Sequence, residues 1–227
     1  MFISRQKKTA ILCDLDGTLV DSAPDLGAAL NQLLEKMGRP KLPISDIKSM
    51  IGDGIAKLVE RGLNATGDYG TVSNLADYID QFSDIYDNTL FKRTSPYPGV
   101  EETLSKLKEK DYQLAVATNK PAKISKKLLI SLSLFEYFDA LAGGDSYEFC
   151  KPHPGHLLHL LEELQVEPEN AVMVGDSAHD VAASRGAGIP IIIMSYGYGS
   201  MPKLSKSADV VLNDFTDIPS TLERFFQ

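Results

Sequence analysis

The chain has few cysteines, no long apolar run and a shortage of positive charge, and each lack excludes something. Among its 227 residues there are two cysteines, Cys13 and Cys150, too few for a disulfide framework. Both lie in apolar or strand-like contexts, which predicts buried thiols in a reducing cytoplasm. No apolar run approaches the roughly 18 residues of a membrane span. Residues 1–8 lack the apolar stretch of a signal peptide. The expectation is therefore a cytoplasmic protein with no membrane partner. Bases number 23 against 31 acids, a formal net charge of −8. That balance argues against nucleic-acid binding, which needs a basic surface. It leaves room for an anionic small molecule at a locally positive site. A dinucleotide fingerprint is missing too, because no Gly-x-Gly-x-x-Gly follows the first strand. Gly52 and Gly54 are followed by Lys57 where a third glycine would be needed.

What is present is an ordinary globular composition, 43% hydrophobic and 24% charged, on a chain long enough to bury a sizeable core. Short apolar runs at 10–12, 114–117, 138–141, 171–174, 191–194 and 209–212 carry strand chemistry. Several are continuous, as in strands covered on both faces. Helical spacing separates them at 100–110, 124–132, 155–164 and 180–187, the last stopped by Gly188 with Pro190 beyond. Strands alternating with helices predict an α/β fold with a Rossmann-like parallel-sheet core and crossover helices.

Residues 23–93 break that rhythm. Leu26, Ala29, Leu30, Leu33, Leu34 and Met37 recur at helical spacing until Gly38 and Pro40, and 51–63 and 72–91 also read as helices. The expected organisation is an α/β core from 1–20 and 95–227 with an inserted helical cap at 21–94. The chain crosses between the two at Asp21-Ser22-Ala23-Pro24 and Thr94-Ser95-Pro96, a plausible hinge. From 36 to 61 the insert holds six bases and three acids; from 62 to 91 it holds five acids and no base. Its first half is the end suited to meeting an anion.

Two acidic constellations stand at expected strand ends. In Cys13-Asp14-Leu15-Asp16-Gly17-Thr18, strand alternation would point Asp14 and Asp16 the same way. Two such carboxylates cannot both stay ionised without a cation or a shared proton. Calcium loops also contain Asp-x-Asp-Gly, but the buried strand ahead of this pair is not their helix-loop-helix context. In Gly175-Asp176-Ser177-Ala178-His179-Asp180, Asp176 follows another strand. Open parallel sheets gather ligands at the carboxyl ends of their strands. Asp14, Asp176 and a backbone carbonyl near Asp16 would make an oxygen-rich set suited to Mg²⁺. Asp180 is expected at a helix start, as a cap or as support for the metal or a lysine. Thr118 and Asn119 follow a third strand and could donate hydrogen bonds to a phosphoryl oxygen. Lys151, in a loop with Pro152 and Pro154, would be a fixed ammonium balancing carboxylates and a transferring phosphoryl group. His153, His156, His159 and His179 suggest zinc, but only His156 and His159 share a helix closely and no Cys or acidic partner completes a set. They read as packing or solvated side chains.

The order Asp-x-Asp-Gly-Thr, Thr-Asn, Lys-Pro and Gly-Asp-Ser-x-x-Asp resembles the haloacid dehalogenase superfamily over nearly the whole chain. The resemblance implies that Asp14 is a nucleophile forming an aspartyl phosphate. Asp16 is then the acid and base, Lys151 the neutralising cation and Mg²⁺ the cofactor. Asp16 itself argues for phosphate esters over haloacids, since a halide leaves without a proton. Asp21-Ser22-Ala23-Pro24-Asp25, Ile51-Gly52-Asp53-Gly54 with Leu58-Val59-Glu60-Arg61, and Tyr196-Gly197-Tyr198-Gly199 are similar to the phosphoglycolate phosphatase branch. That branch implies a small phosphorylated metabolite, 2-phosphoglycolate, as substrate. Backbone N–H groups near Gly52, with Arg61 or Lys41, would meet its carboxylate, while Asp53 should point elsewhere. The alternatives are a broader sugar-phosphate or nucleotide phosphatase, a phosphoglucomutase-like transferase, and a non-enzymatic phosphate sensor phosphorylated on Asp14. A sensor needs neither Asp16 nor a closing cap.

Overall fold

The computed structural model describes residues 8–67, 75–89 and 92–226. In chain order the elements are β1 (Ala10–Cys13), β2 (Val20–Asp21), α1 (Ala23–Lys36), α2 (Ile44–Lys48), α3 (Gly54–Thr66), α4 (Leu75–Thr89), β3 (Ser95–Pro96), α5 (Val100–Glu109), β4 (Gln113–Ala117), α6 (Ala122–Ser131), β5 (Ala140–Ala142), α7 (Gly155–Leu164), β6 (Ala171–Gly175), α8 (Ala178–Ala187), β7 (Ile191–Met194), α9 (Met201–Leu204), β8 (Val210–Leu212) and α10 (Ile218–Leu222). Six strands form one parallel sheet in the order β5-β4-β1-β6-β7-β8.

The continuous apolar runs are explained by two covered faces. Side chains alternate across a strand, so Ile11 and Cys13 of β1, Val172 and Val174 of β6, and Ile192 and Met194 of β7 face one layer with Val100, Leu104 and Leu128. Ala10, Leu12, Met173, Ile191 and Ile193 face the other layer with Leu157, Leu160 and Leu161 of α7. Burying one such leucine or isoleucine stabilises the fold by about 1.5–3 kcal/mol.

Between β2 and β3 lie the four helices α1–α4, closed around their own core. Leu30, Leu33 and Leu34 of α1, Ile47 of α2, Leu63 of α3 and Phe82 of α4 are fully buried there. Ile124 of α6 packs against this cluster from the sheet side. The outgoing and returning chain segments pair with each other as an antiparallel ladder, Val20 with Pro96 and Asp21 with Ser95. Asp25 ties α1 to the returning segment. Its Oδ2 accepts from Arg93 N at 3.1 Å, Thr94 N at 2.9 Å and Thr94 Oγ1 at 2.7 Å.

Several local expectations shift. The helix expected over 51–63 begins only at Gly54, because 51–53 form a turn with positive φ at Gly52 and Gly54. Helix α2, five residues long, was too short for periodicity to show. Of the helix expected over 72–91, residues 72–74 and 90–91 lie outside the described residues. Cys150 is exposed rather than buried, since it stands in the surface loop between β5 and α7, whereas Cys13 is buried. Burial pushes the Cys13 thiol up to about 12. Among the described residues no helix is long and apolar enough to cross a membrane.

Candidate active site

Sheet register brings the acidic motifs together. β1 lies between β4 and β6, so the residues just past all three strands share one edge. Asp14 N extends the ladder by donating to Val174 O at 2.9 Å, and Thr118 N donates to Ala142 O at 3.0 Å. Strand β1 itself stops at Cys13. Asp16 is set by a turn and a bridge to Val20 rather than by strand alternation. Both aspartates nonetheless line the same two cavities, and each faces its own ammonium.

Lys151 lies 2.9 Å from Asp14 Oδ1 and 2.6 Å from Asp180 Oδ1. The other oxygen of Asp180 accepts from Ser177 Oγ at 2.6 Å, Ser177 N at 2.9 Å and Asp176 N at 3.2 Å. Asp180 and Ser177 complete a capping box on α8, so the capping role and the lysine-supporting role coincide in one side chain. Burial works to raise Asp180, but Lys151 and the Ser177 hydrogen bonds outweigh it and hold the carboxyl below its ordinary value. For Asp14 burial wins over Lys151, and with Asp180 and Asp16 adding to it the carboxyl is pushed up to about 7. Burial, then Asp14 and Asp180, raise Asp176 well above its ordinary value.

Asp176 is positioned from two loops. Thr18 Oγ1 donates to its Oδ1 at 3.2 Å and Tyr198 N to its Oδ2 at 2.7 Å. A methyl group on Gly17, where φ is +92°, or on Gly197 would collide with this carboxylate. These glycines let both loops close on Asp176. The Tyr198 hydroxyl also accepts from Ser22 N and Ala23 N, at 2.9 and 3.1 Å, and donates to Asp21 Oδ1 at 2.8 Å. It supplies the cap that the Ser22 side chain does not give α1.

Carboxylate oxygens of Asp14, Asp176 and Asp180 lie within 4.8 Å of one another. Asp16 is not in that cluster. Its oxygens face Lys120 Nζ at 3.2 and 3.3 Å, which leaves its backbone carbonyl as what it could offer a metal. Four acids (Asp14, Asp16, Asp176, Asp180) thus face two bases (Lys120, Lys151). With all six ionised the shortfall is two positive charges, and the donors are hard oxygens. A divalent ion of the Mg²⁺ type fits both facts. Asp180, with both oxygens engaged, is the least available of the three.

Lys120, next after Asn119 in the chain, was not among the expected site residues. Its side chain is 3% exposed, and its ammonium stands 5.0 Å over the ring of Tyr86 on α4. Burial works against its charge, but Asp16 and Tyr86 overcome it and raise the ammonium's pKa. Asn119 does not offer its amide nitrogen to the site. It donates to Gly52 O at 3.0 Å and Lys151 O at 2.9 Å, tying the insert to the loop of Lys151. Thr118 is buried beside it and lines the narrower cavity.

On the insert side, Asp53 points toward the site rather than away from it. It bridges Arg61 Nη2 at 2.5 Å and His179 Nε2 at 2.7 Å. Arg61 Nη1 also donates to Met50 O at 2.9 Å. Lys41 is paired with Glu35 in solvent and lines neither cavity, so it is no part of the site. His179 is a bridge between core and insert, not a packing or solvated residue. His156 is buried with Nε2 3.3 Å from Ala142 O, and burial pushes its pKa down to about 4. His153 stacks on Phe149, and His159 meets Tyr147 and Glu162.

A sequence profile of the haloacid dehalogenase-like hydrolases matches residues 11–194. The chain belongs to this family. Within the haloacid dehalogenase-like hydrolases it is 38% identical over 209 residues to a phosphoglycolate phosphatase of Caulobacter vibrioides, covering 92% of this chain and 88% of that one. It is 40% identical over 215 residues to the plasmid phosphoglycolate phosphatase of Cupriavidus necator, covering 94% and 93%. A crystal structure from Haemophilus somnus, described as a predicted phosphoglycolate phosphatase, superposes with a TM-score of 0.89. It is 31% identical and covers 96% of this chain and 99% of its own.

Proposed function

We propose that the protein is a Mg²⁺-dependent phosphatase that hydrolyses 2-phosphoglycolate to glycolate through an aspartyl phosphate on Asp14, with the helical insert as its cap. The observation that carries the chemistry is the buried Asp14 held by Lys151 on the floor of a cleft of about 270 Å³ that Asp16 and Asp176 also line. The relatives named phosphoglycolate phosphatase support the substrate.

Asp14, Asp176 and the backbone carbonyl of Asp16 would hold Mg²⁺, which when bound would offset the charge of the phosphate dianion. An Asp14 oxygen attacks phosphorus in line, and the bond from phosphorus to the ester oxygen breaks. Asp16 gives its proton to the departing glycolate oxygen. Asp16 then takes a proton from a water molecule as that water attacks the acyl phosphate, releasing inorganic phosphate and restoring Asp14. Lys151, fixed by Asp180, opposes the charge on the transferring group throughout. Thr118 can donate its hydroxyl to a phosphoryl oxygen.

Phosphate release from 2-phosphoglycolate, a sugar phosphate and a nucleoside monophosphate, with and without Mg²⁺, tests this reading. The expected result is Mg²⁺-dependent turnover that is fastest with 2-phosphoglycolate. Stable phosphorylation of Asp14 without turnover would make the protein a sensor. Faster turnover of the larger esters would move the substrate class.

A further inference from the structure

Only one oxygen and one methylene separate phosphorus from the carboxylate in 2-phosphoglycolate. Any cation that recognises this carboxylate must therefore stand beside the catalytic aspartates. Arg61, the residue the sequence suggested, is already paired with Asp53 and Met50 O. Lys120 is differently placed. It lines a narrow chamber of about 30 Å³ that opens onto both Asp14 and Asp16. The chamber's apolar lining comes from the insert: Leu26 of α1, Ile51, and Ile55 and Leu58 of α3. That small volume has room for a carboxylate.

We propose that Lys120 is the residue that recognises the substrate's carboxylate, with the apolar wall of α1 and α3 limiting the chamber to a two-carbon acid. This rests on the reading that Asp14 takes the phosphoryl group of a small ester. An ammonium has three donors; Asp16 and Tyr86 already engage Lys120, and the remaining donor can meet a second carboxylate. The apolar wall excludes water and strengthens that pairing. A two-carbon phosphate ester without the carboxylate leaves that remaining donor unmet, which is how a buried polar site discriminates. Lys120 also contacts the ring of Tyr86 on the insert, so the recognising cation is held by both halves of the molecule.

The test compares kcat/KM for 2-phosphoglycolate with that for ethyl phosphate, a two-carbon phosphate ester that lacks the carboxylate. The wild type is expected to prefer 2-phosphoglycolate by about 100-fold or more. In Lys120→Met that preference collapses to within about 3-fold, whatever happens to the rate on ethyl phosphate. Lys120→Arg retains part of it, and Arg61→Leu leaves it within about 3-fold of wild type. If Lys120→Met lowers both substrates equally and keeps the preference, Lys120 only positions Asp16 and the proposal is wrong. If Arg61→Leu abolishes the preference, the recognising cation is Arg61. If Lys120→Met loses its cooperative melting transition, Lys120→Gln carries the same comparison. A wild type with Mg²⁺-dependent turnover but no preference for 2-phosphoglycolate overturns the substrate reading itself, an outcome visible before any variant is made.

Discussion

On the sheet side of the site, Asp180 is fully buried and accepts four hydrogen bonds from three residues. On the insert side, Asp53 bridges Arg61 and His179 with side chains 22%, 40% and 27% exposed. Both are acidic side chains that hold a base in place. The first cannot move without stranding a buried charge, and the second can exchange its partners for water at small cost. The difference separates a fixed floor, where the proposed chemistry takes place, from an exchangeable roof.

The sharpest way to break that contrast is at the proposed nucleophile. Asp14→Asn should lower kcat by about 10⁵-fold or more while leaving a cooperative melt; steady-state assays beside calorimetry check this. Lys151→Met comes next. Losing this electrostatic group should lower kcat by about 10²–10³-fold on every phosphate ester tested. It should also destabilise the fold by about 3–5 kcal/mol, because Asp14 and Asp180 lose their partner. Denaturant unfolding together with a substrate panel separates Lys151, expected to act on all substrates alike, from Lys120, proposed to act on one.

The floor's intolerance of added charge gives a pH prediction. His156 is fully buried, and its folded pKa of about 4 lies below the ordinary 6.5. Between those values the unfolded chain binds a proton that the folded one refuses, so stability is present above pH 6.5 and is lost as pH falls toward 4. The loss should reach about 3 kcal/mol and be absent in His156→Phe, as followed by urea midpoints. Added Mg²⁺ should stabilise the protein by about 2.7 kcal/mol at 100 times its dissociation constant. At one fixed Mg²⁺ concentration the effect should be larger at pH 8 than at pH 6, because Asp14, pushed up to about 7, would give up a proton to bind it. Thermal melts at the two pH values decide. The smallest effect is expected at the roof. Asp53→Ala should raise KM by about 3- to 10-fold with kcat nearly unchanged, consistent with the small worth of exposed pairs. A large fall in kcat would show that the roof is as rigid as the floor.

The same contrast governs what could be read from the sequence. Asp14, Thr118 and Asp176 were legible because each follows an apolar run, and a parallel sheet presents its strand ends along one edge. Lys151 was legible through its order among the other motifs. Lys120 escaped because its partner Asp16 is 104 residues away and its other neighbour, Tyr86, belongs to the insert. Neither proximity leaves a periodic trace. The Asp53–His179 bridge was hidden for the same reason, since each residue alone looks like a solvated charge. Tyr198 stood in a noted Tyr-Gly-Tyr-Gly run. Nothing in that run shows that its backbone holds Asp176 while its hydroxyl caps α1. Strands β2 and β3 have two residues each, below the length at which alternation means anything.

That short ladder has a practical consequence. Because Val20 faces Pro96 and Asp21 faces Ser95, the four helices leave and rejoin the sheet through a single doorway. Any helical module whose own ends lie a strand's width apart could be spliced into the same opening without disturbing the register of the six-stranded sheet. The doorway makes the site's upper half a replaceable part, and engineering a new substrate range would begin by exchanging it whole.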